Sequence, residues 1–250
     1  MELTELLKGK STTIKGNEYF STEAYVTPFI ERMSKLTNEF EIKVKLPDQM
    51  SITEDKEDII YNRVNIEAIL PDDHSFDGYR RCIGMVYSLD ARKPVAKFYV
   101  GRIRSACLNL CVFSPEALNV QEIEPLKALN YQFVDNCLSI NDNTLNILKQ
   151  LEEQEYTQQQ CVDSLGTWID RCINYKFPYT ISSVKLAVSS PIDAYKNIWY
   201  KKDSEYFTKD NIVSGLTLYN SFTEDLCNGT KPDINNRFEK VYLVKEILGI

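Results

Sequence analysis

Seven cationic side chains fall within residues 79–104, namely Arg80, Arg81, Arg92, Lys93, Lys97, Arg102 and Arg104, against one acid, Asp90. Tyr79, Tyr87, Phe98 and Tyr99 are interleaved with them. A lysine or arginine that meets a phosphate releases counterions, and an exposed aromatic stacks on an unpaired base for ~1–3 kcal/mol. This combination is the chemistry of single-stranded nucleic-acid binding, with Tyr99 beside the seven cations as the contact set. Two other arrangements use the same residues. In one the aromatics point inward, and the charges either solubilise the outer face or pair with the acidic stretch 54–58, each such surface pair being worth less than ~1 kcal/mol. In the other, the segment meets an acidic surface on another subunit, and its charge sets orientation rather than affinity.

Other chemistry finds little to work with. Acid–base and nucleophilic mechanisms need a proton acceptor beside a nucleophile, and the lone His74 sits in a hydrophilic turn with Asp72, Asp73 and Ser75. The carboxylate pairs Asp72/Asp73, Glu152/Glu153 and Glu224/Asp225 hold a divalent ion only if distant groups converge on them; a hydrated surface is the simpler expectation. Phosphate-cradling glycine loops are absent in their recognisable forms. The seven cysteines, Cys82, Cys107, Cys111, Cys137, Cys161, Cys172 and Cys227, contain no CxxC pair and lie mostly among apolar residues. They read as small core residues rather than zinc ligands. The expectation is therefore no catalytic residue, no cofactor and no metal.

The chain must position the basic segment with 250 residues, 43% hydrophobic and 26% charged, enough for a substantial core in one large domain or two smaller ones. Its formal charge of −7 opposes non-specific attraction to phosphate, so nucleic-acid binding would need a local patch. The start of the chain lacks the pattern of a signal peptide, and no apolar run approaches the ~18 residues of a membrane span. A reducing compartment follows. There, Asn228 and Gly229 before Thr230 read as a helix end rather than a glycosylation site.

Period-two alternation marks strands at 41–46 and 63–70, with shorter candidates at 12–14 and 19–20. Between the two longer ones, 47–58 reads as an exposed acidic loop. Thr27 followed by Pro28 reads as a helix start, with Phe29, Ile30, Met33, Leu36 and Phe40 on one face. Residues 82–89 and 95–103 read as a hairpin whose tip, Asp90 to Pro94, is cationic, and 106–113 as a strand buried on both faces. From Pro115 onward the pattern turns helical, with segments at 125–138, 143–156, 157–175, 192–200, 212–226 and 234–248 and an apolar piece at 184–188. The fold expected is α+β, an N-terminal antiparallel β-rich half over 1–120 packed with a helical C-terminal half over 121–250, or a single integrated domain.

Two stretches carry a resemblance. Residues 95–113 include Arg104, Cys107 and Asn109 in an Arg-x-x-Cys-x-Asn element after a strand, and 215–224 include Tyr219, Asn220, Thr223 and Glu224 in a Tyr-Asn-x-x-Thr-Glu pattern. In this order, with a helical spacer, they resemble a family of phage- and plasmid-encoded proteins with no assigned activity. The resemblance implies a bacteriophage protein working in the host cytoplasm or the virion. Asn109, Asn220, Thr223 and Glu224 are expected to form a buried polar cluster, structural or functional. The expected function is non-enzymatic nucleic-acid binding, most simply to single-stranded DNA. The alternative is a virion structural or assembly protein making ring or shell contacts. Its partners are then single-stranded nucleic acid or other phage proteins, with no membrane, and a homo-oligomer is compatible with either.

Overall fold

The computed structural model describes residues 12–45, 50–52, 59–61, 63–71, 76, 78–89, 94–104, 110–112, 115–140, 143–174, 212–228 and 237–250. Contacts divide the chain into two compact units, Met1–Ile103 with Ser114–Asp142, and Arg104–Phe113 with Asn143–Ile250.

The first unit is built on antiparallel pairing, in keeping with the α+β expectation. A short hairpin opens it, β1 (Thr12–Ile14) with β2 (Asn17–Tyr19). Its turn residues Lys15 and Gly16 both have positive φ, 50° and 80°, the conformation that matches the twist of a tight hairpin. Helix α1 (Thr22–Leu36) follows. It starts earlier than residues 27–28, because Ser21 caps it by accepting from the Ala24 N–H at 3.4 Å. Pro28 therefore lies inside the helix, where it removes a backbone donor. Buried Tyr25, Val26, Phe29 and Met33 hold the helix through that defect.

The main sheet runs through β3 (Glu41–Lys45), β6 (Arg63–Ile69), β7 (Tyr79–Ser88), β8 (Val95–Arg104) and β10 (Leu118–Glu122), in the order β10-β8-β7-β6-β3. Between β3 and β6 in the chain, β4 (Met50–Ile52) and β5 (Ile59–Tyr61) pair as a separate two-stranded ribbon, so part of the expected loop 47–58 is strand. Strand β9 is the short Leu110–Cys111, within the stretch expected to be extended.

One sheet face carries Val64, Ile66, Met85, Tyr87 and Phe98 and packs on α1 and the segment after β10. The Tyr87 hydroxyl donates to Thr22 Oγ1 at 2.9 Å, the Tyr25 and Tyr87 rings lie 5.4 Å apart, and Tyr131 meets Phe98 edge-on at 5.3 Å. Tyr131 in turn donates to the Tyr25 carbonyl at 2.5 Å. The opposite face carries Asn65, Glu67, Ile69, Cys82, Val86 and Tyr99, and these too are buried. The alternation of β6 thus does not mark a solvent face.

Two helical expectations after Pro115 are corrected. Residues 118–122 are a sheet strand, and 125–138 hold only α2 (Gln132–Asp135) and a 3-10 turn (Cys137–Ser139). Pro125 and Leu126 form a turn instead, with Leu126 at φ 51° and 53% exposed. The Gln121 amide ties this segment down, donating to the Asn130 carbonyl at 2.6 Å and accepting from the Asn130 N–H at 3.0 Å.

The second unit is mainly helical, with α3 (Thr144–Glu153), α4 (Gln158–Asn174), α5 (Gly215–Asn228) and α6 (Arg237–Leu248). Strands β11 (Glu155–Thr157) and β12 (Ile212–Ser214) pair antiparallel, so the helix expected from residue 212 begins only at Gly215. A Cβ at Gly215 would lie 2.9 Å from the Leu151 carbonyl, which is why the α3 end and the α5 start can approach so closely. The pieces expected at 184–188 and 192–200 lie outside the described residues.

Candidate functional site

Strands β7 and β8 deliver the basic segment as expected, but they divide it. Neighbouring strand residues point to opposite faces, and Arg80 and Arg81 show the effect. Arg80 Nη2 reaches Glu41 Oε2 at 2.7 Å on the outer strand β3, with Lys43 3.6 Å from the same carboxylate. The hydrogen bond from Arg80, assisted by Lys43, holds the Glu41 carboxyl below the usual carboxylate range. Arg81, on the other face, donates from Nη2 to the Cys137 carbonyl at 3.1 Å and so anchors the 3-10 turn.

Along β8 the same alternation sends Lys97 and Tyr99 to one face and Arg102 and Arg104 to the other. Lys97 and Arg104 are half-buried, and Arg102 is only 8% exposed. Arg92 and Lys93, at the expected tip, lie outside the described residues, as do His74, Asp72, Asp73 and the acidic stretch 54–58.

Tyr99 is corrected as a member of the expected contact set, and the aromatics take the inward arrangement that was its alternative. Tyr79, Tyr87, Phe98 and Tyr99 are all 0–1% exposed, so none of them can stack on a base. Tyr99 has a different task. Its ring lies over Gly84, where an added Cβ would sit 2.0 Å from Tyr99 Cζ, and its hydroxyl donates into a pair of acceptors on β6. These are Glu67 Oε1 at 2.9 Å and Asn65 Oδ1 at 3.2 Å; both residues are fully buried. The cluster spans three strands, because Glu67 stands opposite Gly84 in the β6–β7 register and Tyr99 crosses that gap from β8.

Sequence reasoning missed Asn65 and Glu67, which read as the wet side of a half-buried strand. The available signal was Gly84 within an otherwise bulky strand, since an interior strand glycine marks a close approach.

Of the expected polar cluster, Asn220 and Thr223 have described side chains. Thr223 is buried, but its hydroxyl donates back to the Tyr219 carbonyl at 3.0 Å in its own helix. Asn220 is half-buried; Asn109 and the Glu224 side chain lie outside those described.

Glu152 takes part in a local link, Ser214 Oγ to Glu152 Oε2 at 3.2 Å. Among the described residues no group of three His, Cys, Asp or Glu is placed to hold a metal ion. Burial pushes the Cys137 and Cys161 thiols up to about 11, which suits core packing rather than nucleophilic work. Among the described residues no helix is long and apolar enough to cross a membrane.

The outer strand β10 has a different character. Ile123 donates its N–H to the Pro94 carbonyl at 2.9 Å, which fixes the bonded pairs of the β8–β10 ladder at 94/123, 96/121 and 98/119. The backbone groups of Leu118, Val120 and Glu122 therefore face away from β8. Val120, opposite Lys97, is 53% exposed. No protein-family model, curated protein or solved structure matches this chain.

Proposed function

We propose that this chain is a non-enzymatic assembly protein that makes ring- or shell-type contacts with other protein subunits, of the kind a bacteriophage particle uses. The observation that carries the reading is the division of the basic segment. Its aromatics are inside, Arg80 and Arg81 are committed to acceptors on opposite faces, and Arg102 is buried. A strand that binds unpaired bases needs aromatic faces and cations on one accessible side. The net charge of −7 works in the same direction, since phosphate would have to be attracted against the field of the whole protein. What β10 offers is an exposed apolar residue on an outer strand, a feature that serves protein contacts.

Light scattering after size exclusion, run beside an oligonucleotide gel shift, tests the reading. A stable oligomer that leaves single-stranded DNA unshifted is the expected result. A monomer at every concentration that shifts DNA, with affinity falling steeply in salt, would overturn it in favour of nucleic-acid binding.

A further inference from the structure

We infer that residues 124–131 are a conformational switch: Gln121 latches them in an irregular form, and the alternative form is a helix that extends α2 back to Pro125. The residue types favour the helix. Leu126, Lys127, Ala128 and Leu129 are four of the strongest helix formers in a row. Pro125 before them suits a first helical position, where its missing N–H costs nothing. In such a helix Leu126, Leu129 and Phe133 would share one stripe, at i, i+3 and i+7.

The observed backbone runs against these preferences. Glu124 to Lys127 form a turn, in which the Lys127 N–H donates to the Glu124 carbonyl at 3.3 Å. Leu126 follows the proline at φ 51°, where a turn calls for Gly or Asn. Its side chain crowds the backbone in that left-handed conformation and gains little burial in return, being 53% exposed. Glycine would suit the turn; the leucine that is present suits the helix.

One side chain holds the turn form in place. Gln121, on β10, donates to the Asn130 carbonyl at 2.6 Å and accepts from the Asn130 N–H at 3.0 Å. A helix needs the same two groups, since the Asn130 N–H would bond to the Leu126 carbonyl and the Asn130 carbonyl would accept from the Val134 N–H. The Val134 N–H instead bonds to the Tyr131 carbonyl at 2.8 Å, and Asn130 Oδ1 accepts from the Gln132 N–H at 2.9 Å, which closes α2 at its start. Asn119 orients the latch, its Oδ1 accepting from the same Gln121 amide at 2.8 Å. Latch and helix compete for one residue's backbone groups and so exclude each other. A partner that binds the helical form better would shift the segment toward it.

Full-length variants test the switch by residue-resolved hydrogen exchange and the Cα chemical shifts of residues 126–130. Gln121→Ala opens the latch, and the loss of its two bonds to Asn130 should move the ratio of forms about 10-fold or more toward the helix. Helical shifts are expected, with slower exchange at the Leu129 N–H, which bonds to the Pro125 carbonyl only in the helix. Leu126→Gly should act in the opposite direction by about 10-fold, because glycine accepts positive φ and weakens a helix. Added to Gln121→Ala, it should cancel the helical signal. Should Gln121→Ala disturb the sheet, Gln121→Glu keeps the side chain's size but turns a carboxylate toward the Asn130 carbonyl. Its helical signal should fade as pH falls below the usual carboxyl value of about 4.3 and the donor returns. Unchanged shifts in the Gln121 variants, or disordered-chain shifts with faster exchange at Asn130, would make Gln121 a tie in a fixed loop and overturn the inference. Neither readout depends on oligomeric state, so that failure would leave the assembly reading standing.

Discussion

The middle and the outer strands of the main sheet treat polar residues in opposite ways. In β6, β7 and β8, Asn65, Glu67 and Tyr99 are enclosed and bonded to one another, and Arg102 is buried. On β3 and β10 the polar groups stay near water: Glu41 gathers Arg80 and Lys43 at the surface, and β10 leaves Val120 half in solvent. Polar groups in the middle therefore decide whether the sheet forms, whereas residues at the margins decide what the sheet meets. A count of charges along a segment does not distinguish these roles, because it ignores which strand neighbours lie on either side.

The contrast can be broken most forcefully at Gly84. Gly84→Ala would drive a methyl into the Tyr99 ring and should cost about 3 kcal/mol in denaturant unfolding. The cost should shrink by more than about 1 kcal/mol in a Tyr99→Ala background, as expected for contacting residues. A loss below about 0.5 kcal/mol, the usual range for uninvolved surface sites, would mean that the close approach is not a constraint.

Tyr99→Phe comes next. It keeps the ring but removes the donor to a buried carboxyl, so a loss of about 2 kcal/mol is expected by the same measurement.

At the margin the effects should be small. Arg80→Ala should cost less than about 1 kcal/mol, because the Glu41 pair is surface-exposed. Glu41 is held below its ordinary value, so the pair contributes above the usual carboxylate range of about 4.3 and its contribution disappears as pH falls through the lowered value. The stability difference between wild type and Arg80→Ala should therefore vanish in acid; a difference that persists there would assign it to packing of the arginine stem.

Smallest of all, Val120→Lys should shift unfolding by no more than about 0.5 kcal/mol, because the side chain is already 53% exposed. A larger loss would place Val120 among the structural residues and erase the distinction between middle and margin.

Much of the sheet was legible from alternation. Residues 41–46, 63–70, 82–89 and 95–103 appear as strands with ends shifted by a few residues. The helices from Thr144 onward followed their apolar spacing for the same reason, because local periodicity and burial agree there. The errors fall where they disagree. Pro28 suggested a helix start, but the Ser21 cap and the buried Tyr25 and Val26 extend α1 past it. Residues 125–138 have helical apolar spacing, yet Tyr131 and Val134 are buried against the sheet from a mostly irregular segment.

For the candidate site, the positions of the cations were legible but their directions were not. The Arg81 contact with Cys137 and the Tyr99 contact with Glu67 join residues 56 and 32 positions apart, and no local pattern announces such pairs.

The seat of Tyr99 over Gly84 also bears on how this chain can change over time. A side chain cannot arise at position 84 unless position 99 first becomes smaller, and restoring a large ring at 99 requires glycine at 84 again. In any set of diverged chains sharing this sheet, the two positions should therefore vary as a pair. Such linked variation would identify distant kin even where overall likeness has faded.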